Sequence, residues 1–461
     1  MTEYLAVLAG KLSAKAIRMA RVGLGSNVPG RVSRAVSRTV LGNLAKQARK
    51  GVVAVSGTNG KSTTSGFISS VLRAAGNRIA HNRQGANLVP GITASLIEAA
   101  GWDGRLDVDY CLFETDEAAL PLVAKEVAIG TVVVTNLFRD QLDRFGELDT
   151  TASLINKGIG VNKSKAILNA DDPNVAQLAP DSERLYFGIE SVAEWPRTAD
   201  GGKDNEPAAG VQELAYCVKC GAEYTYTQVF YGQIGHYKCP SCGFGRTSPH
   251  IYAQNVRVHA TGSNFDVTHD GGTFNVDVKL PGMFNVYNAL AAAALGISLG
   301  FEESAIKKGI EEYTTLFGRS ERWQINGKTA LIQLIKNPAG ASQAVRAAVN
   351  DPNARILVAI NDNYADGRDV SWLWDAEFEL MSSHTKPVWV SGVRCNDMAV
   401  RLKYGGIPQE NIRVISSLED ALTAALNEAR EDETLWILPT YTCLLELQRI
   451  AKTMGSALSG T

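Results

Sequence analysis

At 461 residues the chain exceeds what one hydrophobic core comfortably serves, so two or three domains are expected, and a 45% hydrophobic fraction excludes disorder on a large scale. Lys+Arg number 46 against 48 Asp+Glu, a formal net charge of -2, which excludes a general polycation for nucleic acid and an acidic tail. No apolar run reaches the roughly 20 residues of a membrane-spanning helix, which points to a cytoplasmic protein.

Residues 1–50 are expected to form a basic helical segment. From Lys11 to Lys50 the chain carries Lys11, Lys15, Arg18, Arg21, Arg31, Arg34, Arg38, Lys46, Arg49 and Lys50 without one Asp or Glu. Such a run is either a solvated helical face or an attraction for an anionic membrane or a phosphate-bearing substrate. Glu3 and the structured Pro29-Gly30 speak against a transit peptide.

From residue 51 short β-branched runs alternate with helical patterns. Val52 to Val55 precedes a helix from about Ser62, Val108 to Phe113 a helix from about Glu117, and Thr131 to Thr135 and Ala166 to Leu168 follow. This is the rhythm of an α/β fold with a doubly wound parallel sheet. Between Val55 and Thr64 the chain reads Ser56-Gly57-Thr58-Asn59-Gly60-Lys61-Ser62-Thr63, a strand, a Gly-rich turn and a helix start. Backbone N–H groups of Gly57, Thr58, Asn59, Gly60 and Thr63 would cradle phosphates there, with Lys61 on the terminal ones and Ser62 on magnesium. The strict phosphate-loop pattern wants Gly where Val55 stands, so the match is partial. Glu114 closes a parallel strand, where ligands gather, a natural place for a carboxylate holding magnesium.

Residues 198 to 210 turn to Gly, Asp, Asn, Glu and Pro, an exposed excursion leading into an insertion at about 211–247. There Cys217-Val218-Lys219-Cys220 and Cys239-Pro240-Ser241-Cys242 are separated by eighteen residues, so four thiolates from two knuckles satisfy a tetrahedral, structural zinc. A nucleic-acid-binding ribbon is the competing reading, resting on Lys219, Lys238, Arg246 and three tyrosines. Alternation from Asn255 to Leu280 indicates antiparallel strands. An Ala-rich helix, Asn288 to Leu299, closes a central domain spanning 51–318.

A second α/β alternation fills 319–461, with strands Ile356 to Ile360, Pro387 to Val390, Ile412 to Ile415 and Leu435 to Leu438. Directly after the first of them runs Asn361-Asp362-Asn363-Tyr364-Ala365-Asp366-Gly367-Arg368-Asp369-Val370-Ser371-Trp372-Leu373-Trp374-Asp375. Polar and aromatic residues on a strand-end loop suit either a binding surface or a capped turn with two Trp residues in the core.

The stretch Gly57 to Thr64 resembles the Mur ligases and folylpolyglutamate synthetases. So do Glu114, Asn136 with Asp140-Gln141-Leu142-Asp143, Asn169-Ala170-Asp171-Asp172-Pro173, Gly282 to Asn288, and Gly318-Arg319-Ser320-Glu321. The resemblance implies a Mur-ligase-like central ATP-binding domain followed by a Rossmann-like C-terminal domain. It makes Glu114 a magnesium ligand, puts Asn288 on the adenine, and lets Arg319 hold the nucleotide from the domain boundary. Departures are Gln141 and Phe284, where relatives usually carry His, and Leu334-Ile335-Lys336-Asn337-Pro338-Ala339-Gly340, where amino-acid-adding enzymes carry an Asp-x-x-His-Asn-Pro loop. Lys157 lies near the position of the family's carbamylated lysine but out of register.

Gly85-Ala86-Asn87, the cysteine insertion, Asn361 to Asp375, Ser391 to Arg394 and Leu438 to Thr442 extend the resemblance to the ligase subunits of lipid II isoglutaminyl synthases, the MurT family. What it implies is phosphorylation by ATP of the α-carboxylate of the D-glutamate in the lipid II stem, then amidation to D-isoglutamine. The ammonia comes from a class I glutamine amidotransferase partner subunit, GatD-like. Consistently, Cys111, Cys395 and Cys443 lack the Gly-x-Cys-x-Gly elbow a class I glutaminase needs. In the family an Asp of the last domain completes the partner's Cys-His pair. Asp362 is the first choice, with Asp366 and Asp369 behind it. Lipid II as substrate would bring the chain to the inner membrane surface, with no nucleic acid involved. The alternatives are a Mur-type ligase adding an amino acid and a nucleic-acid-dependent ATPase with a zinc ribbon.

Overall fold

The computed structural model describes residues 2–20, 27–82, 86–138, 148–194, 216–259, 262–314, 319–455 and 457–458, which build two sheets covered by helices. Gly85, Asp140 to Asp143, the 198–210 excursion and Gly318 fall outside these residues, and for Arg319 only the backbone is described.

Three helices, α1 (Thr2–Ala20), α2 (Val28–Val36) and α3 (Val40–Ala45), precede the first strand. The chain then alternates β1 (Gly51–Ser56), α4 (Lys61–Ala74), β2 (Ile79–His81), α5 (Val89–Ala99), β3 (Tyr110–Glu114), α6 (Leu120–Glu126), β4 (Thr131–Val134), α7 (Leu148–Asn162), β5 (Lys165–Asn169), α8 (Pro173–Ala176), β6 (Arg184–Ile189) and β7 (Val192–Glu194). A hairpin of β8 (Thr225–Tyr231) and β9 (Ile234–Lys238) is followed by β10 (Ile251–His259), β11 (Gly262–His269), β12 (Gly272–Val278), α9 (Met283–Ser298) and α10 (Glu303–Glu311).

The first sheet runs β12-β11-β10-β6-β5-β4-β1-β3-β2, parallel from β10 to β2 and antiparallel at β11 and β12. Both faces are covered, which is why β1 and β4 read as unbroken apolar runs. Leu41, Ile97 and Cys111 belong to one apolar layer, and Val53, Ile68 and Leu290 to the other. Because β1 lies between β3 and β4, the strand order reverses beside it, and the C-terminal ends of these three strands open the crevice that such a reversal creates.

Two helix starts differ from the sequence reading. The helix expected from about Glu117 begins at Leu120, because Asp116 to Ala119 form a turn that sends Glu117 inward. The Ala-rich helix starts at Met283 rather than Asn288, since Gly282, at φ 96°, supplies the break in front of it.

The second sheet comprises β13 (Arg319–Ile325), β14 (Lys328–Gln333), β15 (Ala354–Ala359), β16 (Val388–Ser391), β17 (Ile412–Val414), β18 (Thr434–Pro439) and β19 (Ala457–Leu458). Its helices are α11 (Pro338–Val349), α12 (Cys395–Tyr404), α13 (Leu418–Glu428) and α14 (Tyr441–Thr453). The order β17-β16-β15-β18-β14-β13-β19 is parallel through β14 and antiparallel at the β13 edge. The four expected strands are present, and the β13–β14 hairpin is an addition that polar Arg319, Glu321 and Gln324 concealed. Of the two tryptophans expected in the core, Trp372 is buried and Trp374 is exposed.

Candidate functional site

The loop after β1 is shaped by two glycines and pinned by β4. Gly57 and Gly60 have φ of 124° and 83°, and a Cβ on Gly57 would come within 2.8 Å of the Asn136 carbonyl. Thr58 N–H donates to Asn136 O at 2.9 Å, and Asn59 N–H donates to Asn136 Oδ1 at 2.9 Å. Thr135 Oγ1 donates to Asn59 O at 2.8 Å, and the Thr58 hydroxyl bonds both backbone groups of Phe138 at 3.1 Å. Thr58 and Asn59 are therefore held by the neighbouring strand end, leaving the N-terminus of α4 open to an anion.

Lys61 opens α4 with its ammonium in the crevice. Its Nζ donates to Gly57 O at 2.5 Å and Thr58 O at 3.3 Å, and pairs with Glu117 Oε1 at 3.2 Å. Both side chains are buried, so Glu117 fixes the position of the cation that phosphates would meet. The sequence reading missed Glu117. Its signal was the spacing Glu114-Thr115-Asp116-Glu117, two carboxylates three residues apart on one strand-end turn. Glu114 is buried at the end of β3 opposite Val55, and its backbone is gripped by the Asn82 amide at 2.8 and 2.7 Å. Ser62, half-buried, and Thr63, buried, follow Lys61 on α4. The hydroxyl of Ser62 and the carboxylate of Glu114 are hard oxygen donors beside a phosphate cradle, a set that fits magnesium.

Asn288 is buried on α9, where its Oδ1 accepts from Thr64 Oγ1 at 3.1 Å, and a Cβ on Gly60 would collide with its amide. It lies against the phosphate loop. Asn169 and Asp172 brace the same loop from behind: Asn169 Nδ2 donates to Thr135 O at 3.1 Å, and Asp172 Oδ2 accepts from Leu137 N–H at 2.8 Å. Lys157 is exposed on α7.

The second sheet reaches this loop at Asn337. Asn337 Nδ2 donates to Asn59 Oδ1 at 3.0 Å, Asn59 Nδ2 returns to Asn337 Oδ1 at 3.3 Å, and the same Oδ1 caps α11 by accepting from Gly340 N–H at 2.9 Å. Replacing Asn337 by alanine is expected to raise KM for ATP about tenfold through loss of the inter-sheet clasp, and to cost about 1 kcal/mol through loss of the cap. Steady-state kinetics and thermal unfolding of the variant would check both parts.

In the cysteine insertion the four Sγ atoms of Cys217, Cys220, Cys239 and Cys242 lie within 4.8 Å of one another. Cys217 and Cys242 are 3.6 Å apart, Cys220 and Cys239 3.5 Å, close to the edge of a tetrahedron with metal–sulfur bonds of about 2.3 Å. The donor set fits zinc. The insertion docks inward: Arg246 Nε donates to the fully buried Asp171 at 2.5 Å, Tyr287 OH donates to the other Asp171 oxygen at 2.7 Å, and Gln233 Nε2 donates to Leu137 O at 2.7 Å. Tyr224, Tyr226 and Tyr237 pack on one another with ring centroids 5.3 to 6.3 Å apart. Arg246 and these rings are thus spent on the fold rather than offered to a nucleic acid.

The loop after β15 sits where the second sheet also reverses, with β16 and β18 on either side. Asp362 Oδ2 receives Arg394 Nη2 at 2.6 Å, and this bond holds the carboxyl below its usual range, so it is ionised at neutral pH. Asp366 is a brace: Oδ1 accepts from Thr442 N–H at 2.7 Å, and Oδ2 from Thr442 Oγ1 at 2.5 Å and Asn363 N–H at 3.1 Å. Asp369 caps a short turn through Ser371 N–H at 2.8 Å. The three carboxylates therefore share a loop but not a task. Between Asp362 and Asp366, Tyr364 stands 92% exposed. Cys111 and Cys443 are buried, which pushes both thiols up to about 12, and Cys395 is buried as well.

Residues 55–208 and 216–296 match the Mur ligase middle domain family, and residues 334–444 the MurT ligase C-terminal family. The chain is 37% identical, over 87% of its length and 88% of the relative's, to a lipid II isoglutaminyl synthase (glutamine-hydrolyzing) subunit MurT of Staphylococcus aureus (strain N315). With its namesake from Streptococcus pneumoniae (strain ATCC BAA-255 / R6) it shares 33% identity over 97% and 96% of the two chains. Among solved structures, a pseudomurein peptide ligase type C from Methanothermus fervidus superposes with a TM-score of 0.70 at 22% identity, covering 89% of this chain and 80% of that one. MurF ligase from Thermotoga maritima in complex with ADP superposes with a TM-score of 0.64 at 12% identity, covering 92% and 84%. The loop pinned around Lys61, the sheets on either side of the Asn59–Asn337 clasp and relatives matched almost end to end agree: the chain belongs to the MurT family of Mur-type, ATP-dependent ligases.

Proposed function

We propose that this chain amidates the α-carboxylate of the D-glutamate in the lipid II stem peptide, using ATP and ammonia released by a class I glutamine amidotransferase subunit. The observation that carries the reading is the division of parts: a pinned phosphate loop on the first sheet, a carboxylate held by Arg394 on a strand-end loop of the second, and no nucleophilic thiol. Four of the seven cysteines form the metal cluster, and the other three are buried.

A carboxylate oxygen of the substrate attacks the γ-phosphorus of ATP, the bond to the bridging oxygen breaks, and ADP leaves. Ammonia then attacks the acyl carbon, phosphate departs with that oxygen, and the nitrogen gives up a proton. Lys61 and the N-terminus of α4 would offset charge on the phosphates, and Asn337 holds the second sheet over the loop to exclude water from the acyl phosphate. Magnesium, held by Ser62 and Glu114, would supply charge neutralisation between nucleotide and substrate. Arg319, at the head of β13, would close on the nucleotide, and Asn288 would border the adenine. Asp362 would orient the histidine of the partner's Cys-His pair. Gln333 and Lys336, where the Asp and His of the amino-acid-adding enzymes' loop would stand before Asn337-Pro338, disfavour an amino acid as second substrate. A panel offering ammonium and free amino acids separately tests this: amide formation with ammonium alone is expected, and ligation of an amino acid would overturn it.

Cys217, Cys220, Cys239 and Cys242 would hold a structural zinc, and the hairpin anchored there would support the nucleotide site. Gln233 holds Leu137 O, and Tyr231 stacks on Phe138 at 5.7 Å, whose backbone holds Thr58. Removing zinc with a chelator is expected to weaken ATP binding about tenfold as well as lower the unfolding temperature. Metal analysis beside nucleotide titration checks it. Metal-free protein with undiminished affinity would break the link.

A further inference from the structure

Helix α1 buries one side and presents an apolar stripe on the other. Ala6, Val7 and Gly10 are buried, and a Cβ on Gly10 would run into Ser33 of α2. Leu5, Leu12 and Met19 are 47%, 52% and 77% exposed. Their spacing of seven residues, nearly two turns, sets them on one line about 21 Å long. Leu8 and Ala16 fall on the same side, and Lys11, Lys15 and Tyr4 run along its flank by the same periodicity. The Lys11 ammonium lies 5.5 Å over the ring of Trp102, itself an exposed side chain.

The surroundings are basic. The first fifty residues carry ten basic side chains against Glu3 alone, and Lys15, Arg31, Arg38 and Lys46 are exposed in this layer. Three of the acids nearby are neutralised by pairing: Glu126 with Arg34 at 2.7 Å, Asp107 with Arg49 at 2.6 Å and Asp103 with Arg105 at 3.8 Å. An apolar stripe flanked by lysines, with Tyr and Trp beside it, is the constitution of a helix that lies in the plane of a charged lipid surface. Spanning is excluded for α1, since no described helix is long and apolar enough to cross a membrane.

We propose that α1 docks this chain on an anionic lipid bilayer, with Leu5, Leu12 and Met19 among the acyl chains and Lys11, Lys15 and Trp102 at the headgroups. Charge complementarity selects the bilayer over a second copy of the chain, whose own basic layer would repel it. The proposal stands apart from the amidation reading, because lipid binding needs no substrate.

Flotation of the full chain with vesicles tests it. Wild type should float with vesicles of equal parts phosphatidylglycerol and phosphatidylcholine, less so as salt rises, and far less with phosphatidylcholine alone. Leu12→Glu combined with Met19→Glu should lower the partition coefficient more than tenfold, and Lys15→Glu about fivefold per charge removed. These side chains are exposed, so unfolding temperature and ATP affinity should match wild type. Wild type that stays in solution, variants that float unchanged, or a dimer in sedimentation that Leu12→Glu dissolves would each overturn the proposal.

Discussion

Replacing Lys61 by alanine should lower kcat/KM for ATP-dependent turnover about 10²–10³-fold, the range for losing one preorganised charge at a developing anion. The expectation follows from position. Lys61 stands at the first residue of α4, its ammonium 2.5 Å from Gly57 O at the rim of the phosphate cradle and steadied by Glu117. The truncation also leaves Glu117 buried without this partner, a defect that by itself costs stability. The double variant Lys61→Ala, Glu117→Gln separates the two effects, since it removes the stranded charge. It should recover unfolding temperature but not turnover. Recovery of turnover would mean that Lys61 serves the fold and not the phosphates.

Asp362→Asn should abolish glutamine-supported amidation, by about 10⁴-fold if Asp362 orients the partner's histidine, while leaving ammonia-supported amidation near wild type. The amide keeps the shape but loses the charge that Arg394 and an imidazolium would both seek. Asp366→Asn should behave differently. Both oxygens of Asp366 are occupied by Thr442 and Asn363, so its loss should loosen the loop and weaken partner binding without that clean split. Glutaminase activity in the assembled pair, measured beside ammonium-driven turnover, reads both variants. A split at Asp366 instead of Asp362 would reverse the assignment.

What the sequence made legible was whatever is local. The parallel strands announced themselves because burial on both faces leaves runs such as Val52 to Val55 unbroken, and the two Cys-x-x-Cys knuckles encode their cluster by spacing alone. What escaped depends on pairings distant in the chain. Glu117 looked like the start of a helix until the fold set it against Lys61. Asn337 looked like the remnant of a missing motif, yet it joins the second sheet to Asn59, 278 residues away. Arg246 counted toward a nucleic-acid-binding ribbon, and the fold buries its contact with Asp171. The ranking of Asp362 over Asp366 and Asp369 was made from a pattern. Their partners differ, and only tertiary structure distinguishes a brace or a cap from a carboxylate held by an arginine.

The most direct measurement is the mass of lipid II after incubation of the purified chain with ATP, magnesium and ammonium, with ADP release followed in parallel. The product should be lighter by the difference between a hydroxyl and an amino group, at the α-carboxyl of D-glutamate, and form in step with ADP. ADP release with lipid II unchanged in mass, or a gain equal to an added amino acid, would contradict it.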